Sequence, residues 1–188
     1  MREIAGIFLV FDSQYMIIPL LLGMIVINRR LFFDITYLLL FSILINVALK
    51  VTFQVPLILI PGHPGYGLPS GHMQAATVFY GSLAWYVMKK PGIPRLISPI
   101  IVLSLLTGIG WALVYKGFHS LNDVLAGALT GLILITIWQP IRRFTPILAS
   151  AVFAYSAIRY THLPNHAWIA YGLLLCFALY EYETKVWA

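Results

Sequence analysis

The sequence predicts an all-α fold, a polytopic transmembrane bundle of six to seven helices. Three observations predict it. Apolar residue types make up 61% of the 188 residues and charged types only 10%, against roughly 45–50% and about 25% in soluble domains. Six or seven apolar runs of about 16–22 residues cover nearly the whole chain, and a helix needs about 20 to cross a bilayer. Proline and glycine punctuate the joins, at Pro56, along residues 61–67, at Pro91-Gly92-Ile93-Pro94, and at Pro140 and Pro164.

Taken in order, the first helix is expected at about residues 14–28, with an interfacial lead-in from Ile4. The others are expected at about 33–53, 71–88, 96–115, 121–138, 145–160 and 166–182, each an apolar run closed by a turn signal. The stretch before residue 12 carries Arg2 and Glu3 and lacks a small-residue cleavage site, so it reads as mature protein and not as a signal peptide. Residues 1–188 read as a single integral membrane domain without repeats. The lone Cys176 lies inside an apolar run and has no internal partner for a disulfide.

The basic residues orient the bundle. If the chain alternates sides, Arg29, Arg30, Lys89, Lys90, Arg95, Arg142, Arg143 and Lys185 share one side, and Arg2, Lys50, Lys116 and Arg159 the other. The richer side is expected to be cytoplasmic. The net charge of +6 is thereby accounted for by topology and calls for no nucleic-acid partner. Trp138, Trp168 and Trp187 near helix ends read as an aromatic belt. Gly127 and Gly131 read as a small-xxx-small helix contact.

The remaining polar residues converge. Lys50 ends the second helix. Pro69-Ser70-Gly71-His72 opens the third. Lys116 and His119 end the fourth, and Asp123 opens the fifth. Four successive helices deliver polar groups to one face, although ionised groups near a membrane are costly. His119 and Asp123 are four apart, a spacing that lets a carboxylate fix one imidazole tautomer. His72 supplies a second imidazole suited to proton donation. Ser70, the amides opening the third helix, Lys50 and Lys116 mark an anion site. Together these are the groups phosphoryl transfer needs.

Two runs carry a family resemblance. Residues 66–74, with Pro69-Ser70-Gly71-His72, resemble the second motif of the type-2 phosphatidic-acid phosphatase superfamily, which includes lipid phosphate phosphatases and haloperoxidase-like enzymes. Residues 114–127, with His119 and Asp123, look like the end of its third motif, S-R-x5-H-x3-D. Lys50 followed by Pro56 is similar to its first. The resemblance covers about residues 46–131, in the second to fifth helices. It implies a catalytic core there and a phosphohistidine on His119, oriented by Asp123. It implies protonation of the leaving oxygen by His72, and phosphate oxygens held by Ser70, the Gly71 amide and Lys50. It implies no metal or other cofactor, and the sequence offers no carboxylate cluster to bind one.

The motif arginines are missing. The Ser-Arg pair of the third motif falls at Ala112 and Leu113, and the first motif's arginine at Leu57, with an optional earlier one at Val55. A guanidinium grips phosphate through a bidentate fork that leucine cannot imitate. Three readings follow. Lys116 or Arg159 substitutes, and the protein is a membrane phosphatase hydrolysing a lipid or polyprenyl phosphate. Or the substrate is a less charged phosphodiester, and the protein is a head-group phosphotransferase. Or the protein is a catalytically silent lipid-binding or scaffold member. The expected setting is a bacterial inner membrane, with the site on the non-cytoplasmic side.

Plainer readings stand beside these. Ser70 is also an N-cap type, and Ser120 with Asp123 a capping pair. Lys50 and Lys116 have the form of snorkelling stems, and Arg159 of an interfacial anchor. His63 reads as a loop residue. His162 and His166 have metal-compatible spacing but no evident third ligand. Asn46, one turn before Lys50, either bonds within the bundle or faces the site.

Overall fold

The computed structural model describes residues 1–57, 65–92 and 94–184, and among these the regular elements are helices. They are α1 (Arg2–Asp12), α2 (Gln14–Ile27), α3 (Arg29–Phe53), α4 (Gly71–Met88), α5 (Ile97–Tyr115), α6 (Leu121–Ile141), α7 (Thr145–Arg159) and α8 (Asn165–Thr184), with a 3-10 turn at Arg142–Phe144. The protein is an all-α membrane bundle. Among the described residues four helical stretches are long and apolar enough to cross a bilayer: Arg2–Ile27 taken through its break, Arg29–Phe53, Ile97–Tyr115, and Leu121–Arg159 taken through the 3-10 turn. The helix predicted at 71–88 is α4. It carries Gln74 and Thr77, both buried, because it packs against α1, α3, α5 and α6.

The N-terminus differs from expectation. The lead-in is a helix of the bundle and not an interfacial one. Phe8 packs edge-on against Trp111, ring centroids 6.5 Å apart, in a recess left by Gly108 on α5. Ser13 breaks the span by adopting an extended backbone, ψ 150°. Its hydroxyl donates to the Val10 carbonyl, 2.6 Å, covering an end carbonyl that the stopped helix leaves open.

The cytoplasm-assigned end is tied by polar contacts. Trp138 is 3% exposed, so it is not a belt residue. Its indole N–H donates to Asp34 Oδ1 at 2.8 Å, which satisfies the one polar atom of a buried ring. Asp34 also meets Arg142 Nε at 3.2 Å, and Arg142 pairs with Glu181. Arg29 bonds the Tyr180 hydroxyl. Arg29 and Arg142, read as topology anchors, therefore also join α3, α6 and α8. Trp168 is exposed on α8. His63, Lys185 and Trp187 lie outside the described residues.

Gly127 and Gly131 make the expected close contact, against α4. A Cβ on Gly127 would sit 2.5 Å from the Ser70 carbonyl oxygen, and one on Gly131 would sit 2.8 Å from Thr77 Cβ. The absent side chains let α6 reach the backbone of α4 where α4 begins.

Candidate active site

The start of α4 is fixed from below. Ser70 is fully buried, and its hydroxyl accepts from the Met73 amide at 3.3 Å, as an N-cap does. Asn46 donates to the Pro69 carbonyl at 3.2 Å and to Gln74 Oε1 at 2.9 Å. Gln74 donates in turn to the Ser42 carbonyl and hydroxyl at 2.9 and 2.8 Å. This chain is buried throughout and its members satisfy one another, so it holds the loop before α4 in place against α3. Asn46 thus bonds within the bundle. Its side-chain oxygen also lies 3.1 Å from where a Cβ on Gly71 would stand, so a side chain there would have to displace the Asn46 amide by a few tenths of an ångström.

The end of α5 delivers His119. Gly117 takes φ 72°, and its amide bonds the Val114 carbonyl while the Phe118 amide bonds that of Leu113, each at 3.0 Å. This is a Schellman stop, which reverses the chain and satisfies the last carbonyls. Two residues later Ser120 caps α6. The Asp123 amide donates to Ser120 Oγ at 3.2 Å, and the Ser120 amide donates to Asp123 Oδ2 at 2.9 Å. The Ser-x-x-Asp pair is therefore a true capping box.

Capping does not exhaust Asp123. The same Oδ2 stands 3.7 Å from His119 Nδ1. That is longer than a hydrogen bond, and Nδ1 is buried with no hydrogen-bond partner among the described residues. The His72 and His119 rings lie 6.2 Å apart, centroid to centroid, inclined by 58°. His119 is 6% exposed, whereas His72 is open to the surroundings. The Ser70 amide donates to the Asp123 carbonyl at 2.9 Å, tying the two motif segments directly. Burial first, then the positive charges of Lys50 and His72, push the His119 imidazole down to about 4, against a weaker upward pull from Asp123. A neutral imidazole has a lone pair to use, the requirement for a nucleophile or a base.

Lys50, His72, His119 and Asp123 are thus brought together, with Ser70 and Gly71 beside them. Lys116 is not. It is exposed at the cap of α5 and is absent from the charges acting on His119. Arg159 is exposed at the end of α7. Ala112 and Leu113, at the missing Ser-Arg positions, are buried at 0% and 1% exposure. Leu57 lies over Gly67, next to Asp123. The space of the arginines is filled by hydrocarbon. His166 opens α8 within the electrostatic reach of Lys50. Among the described residues no three His, Cys, Asp or Glu side chains converge as metal ligands would.

Below the site, a cavity of about 940 Å³ runs between α4, α5 and α6. Met73, Leu121 and Val124 line it near the histidines, and Met88, Leu132 and Gln139 at the far end. Its walls are overwhelmingly apolar.

The family model of the PAP2 superfamily matches residues 31–146. The chain belongs to the PAP2 superfamily. Human sphingosine-1-phosphate phosphatase 2 is 31% identical over 86 residues, a match covering 46% of this chain and 22% of the relative's length. No solved structure matches. The PAP2 match takes in α3 to α6, the four helices that carry the convergent residues.

Two features escaped the sequence reading. Gln74 passed as part of a motif run, although a glutamine inside an apolar helix needs partners and so announces a polar network. Asp12 passed unremarked, although a carboxylate inside a long apolar stretch is itself a signal. It is 7% exposed, and its Oδ1 is buried without a hydrogen-bond partner among the described residues.

Proposed function

We propose that this PAP2 member transfers or hydrolyses a lipid-linked phosphate through a phosphohistidine on His119, at the non-cytoplasmic face. One observation carries the reading. Two imidazoles, one neutral, buried and beside a carboxylate, the other exposed, face each other 6.2 Å apart at the head of an apolar cavity. In this reading the His119 nitrogen attacks phosphorus while Asp123 steadies the ring and balances its growing positive charge. His72 gives a proton to the leaving oxygen. Water then attacks the N–P bond, or a second lipid alcohol does in a transfer. Lys50 and the amides opening α4 stabilise the charge on phosphorus oxygens. No step calls on a metal ion. The cavity takes the apolar tail, and the name of the human relative, a phosphatase of a lipid monophosphate, supports a monoester substrate.

A phosphodiester reading has its own support. Among the described residues Lys50 is the lysine whose charge acts on His119, and a monoanionic diester needs fewer cations than a near-dianionic monoester. Both readings are tested on the purified protein in detergent. Release of inorganic phosphate from long-chain lipid monophosphates is measured beside head-group release from phosphodiester lipids, with and without vanadate. Vanadate-sensitive turnover of monoesters, lost in His119→Ala, is the expected result. Turnover of diesters alone would select the second reading. No turnover and no vanadate binding would leave a silent lipid-binding protein.

A further inference from the structure

Asp12 closes α1 inside the bundle, where a carboxylate is costly and where nothing in the mechanism above employs it. Its place can be read from the contacts of its neighbours. The Tyr80 hydroxyl donates to the Phe11 carbonyl at 2.7 Å, which docks the end of α1 on α4. On α4, residues 72, 76 and 80 follow one another at four-residue steps and share one face. Tyr80 therefore marks a position two turns below His72 on the same side of the helix. Side chains lean toward a helix N-terminus by about one turn, so the Tyr80 ring covers part of the distance back to His72. Asp12 is an electrostatic neighbour of both residues. Among the described residues it makes no ion-pair contact with His72, and its buried Oδ1 has no hydrogen-bond partner.

The break at Ser13 gives this placement a cause. A continuous helix from Arg2 to Ile27 would have buried every backbone group within itself. The extended Ser13 instead ends α1 at Asp12 and lets it sit against α4 while α2 packs on α3.

We propose that Asp12 is the positioning residue of His72, a carboxylate brought from the broken first span to steady the proton-donating imidazole, as Asp123 serves His119. The proposal rests on His72 being the proton donor. As the N–P bond forms at His119, the bond from phosphorus to the leaving oxygen breaks, and the His72 N–H proton passes to that oxygen. The proton returns to His72 from the water that cleaves the N–P bond. Asp12 donates none of these protons. It balances, across a gap, the charge His72 carries before transfer.

The test uses the leaving group. A long-chain alkyl monophosphate departs as an alkoxide that must be protonated, whereas p-nitrophenyl phosphate departs as a stable phenolate. Turnover of both is measured for the full-length protein and for Asp12→Asn and Asp12→Ser, so that misfolding of one variant leaves the other readable. The ratio of alkyl to aryl kcat is independent of how much protein is folded. We expect that ratio to fall at least about tenfold in the variants, within the range that general acid catalysis contributes. Equal losses on both substrates, or no loss on either, would overturn the proposal. His119→Ala separates this from the underlying reading. If it abolishes both activities while Asp12→Asn leaves the ratio unmoved, the phosphohistidine reading stands and the role of Asp12 falls. If His119→Ala retains both, the phosphohistidine reading falls first.

Discussion

The two ends of the bundle use the same residue types in opposite ways. At the cytoplasm-assigned end Asp34, Arg142, Glu181 and the Trp138 indole meet in direct contact. At the other end Lys50, His72, His119 and Asp123 act on one another mostly across gaps, and among the described residues buried atoms of His119 and, deeper in the bundle, of Asp12 have no hydrogen-bond partner. Paired charges close a structure, and a pair missing one member is penalised. Unpaired groups forgo that closure and stay available to a ligand. Charge in this protein is therefore sorted by its state of pairing, and the unpaired end is where chemistry is expected.

The comparison can be broken most sharply at His119. His119→Ala is expected to lower phosphate release by about 10³-fold or more, because removing a nucleophile removes the covalent route. Thermal unfolding should stay close to that of the unaltered protein. The contrasting change, Asp34→Ala, is expected to do the reverse. It should destabilise the fold by about 1–2 kcal/mol through the lost Trp138 bond, with turnover per folded molecule kept within about twofold. Unfolding and turnover measured on one preparation check both. Gly127→Ala joins the two kinds of effect. Its methyl would press on the Ser70 carbonyl, so a loss of about 1–3 kcal/mol is expected together with reduced turnover.

Acid should act on the unpaired end first. The His119 imidazole is held at about 4 against an ordinary 6.5. In the unfolded chain it takes up a proton near the ordinary value, and in the folded chain only near 4. Stability should thus decline as pH falls from about 6.5 toward 4. The acid limb of kcat/KM, which reports the free protein, should lie near 4. Lys50→Met removes the second largest cause and should raise that limb. A limb that stays put would show burial acting alone. The smallest effect is expected at Lys116. Lys116→Ala should change turnover by less than about twofold, and a tenfold loss would return that lysine to the phosphate site.

Much of this was legible in the sequence. Apolar length placed α3 to α8, and motif spacing brought Lys50, His72, His119 and Asp123 to one end, because helix length and capping chemistry are local properties. What stayed hidden was relational. Trp138 near a helix end looks like a belt residue until Asp34 turns out to stand opposite. Ser13 carries no strong breaker signal, so the break that directs Asp12 inward shows only in three dimensions. Lys116 sits at the right sequence distance from Leu113, but the Schellman stop at Gly117 turns the chain after it, and the lysine is left outside.

The Gly127 contact has a consequence for how such a site can vary. The segments that carry His119 and His72 are separated by the thickness of a bare backbone, since Gly127 abuts Ser70 and the Ser70 amide bonds the Asp123 carbonyl. The gap between the two imidazoles is therefore a packing dimension, gauged by an absent methyl group and not by the residues around the phosphate. Neither Leu57 nor the buried Leu113 takes part in the Gly127 contact that sets this gauge. On the proposed reading, the positions that grip phosphate can differ while the spacing of the two imidazoles is kept.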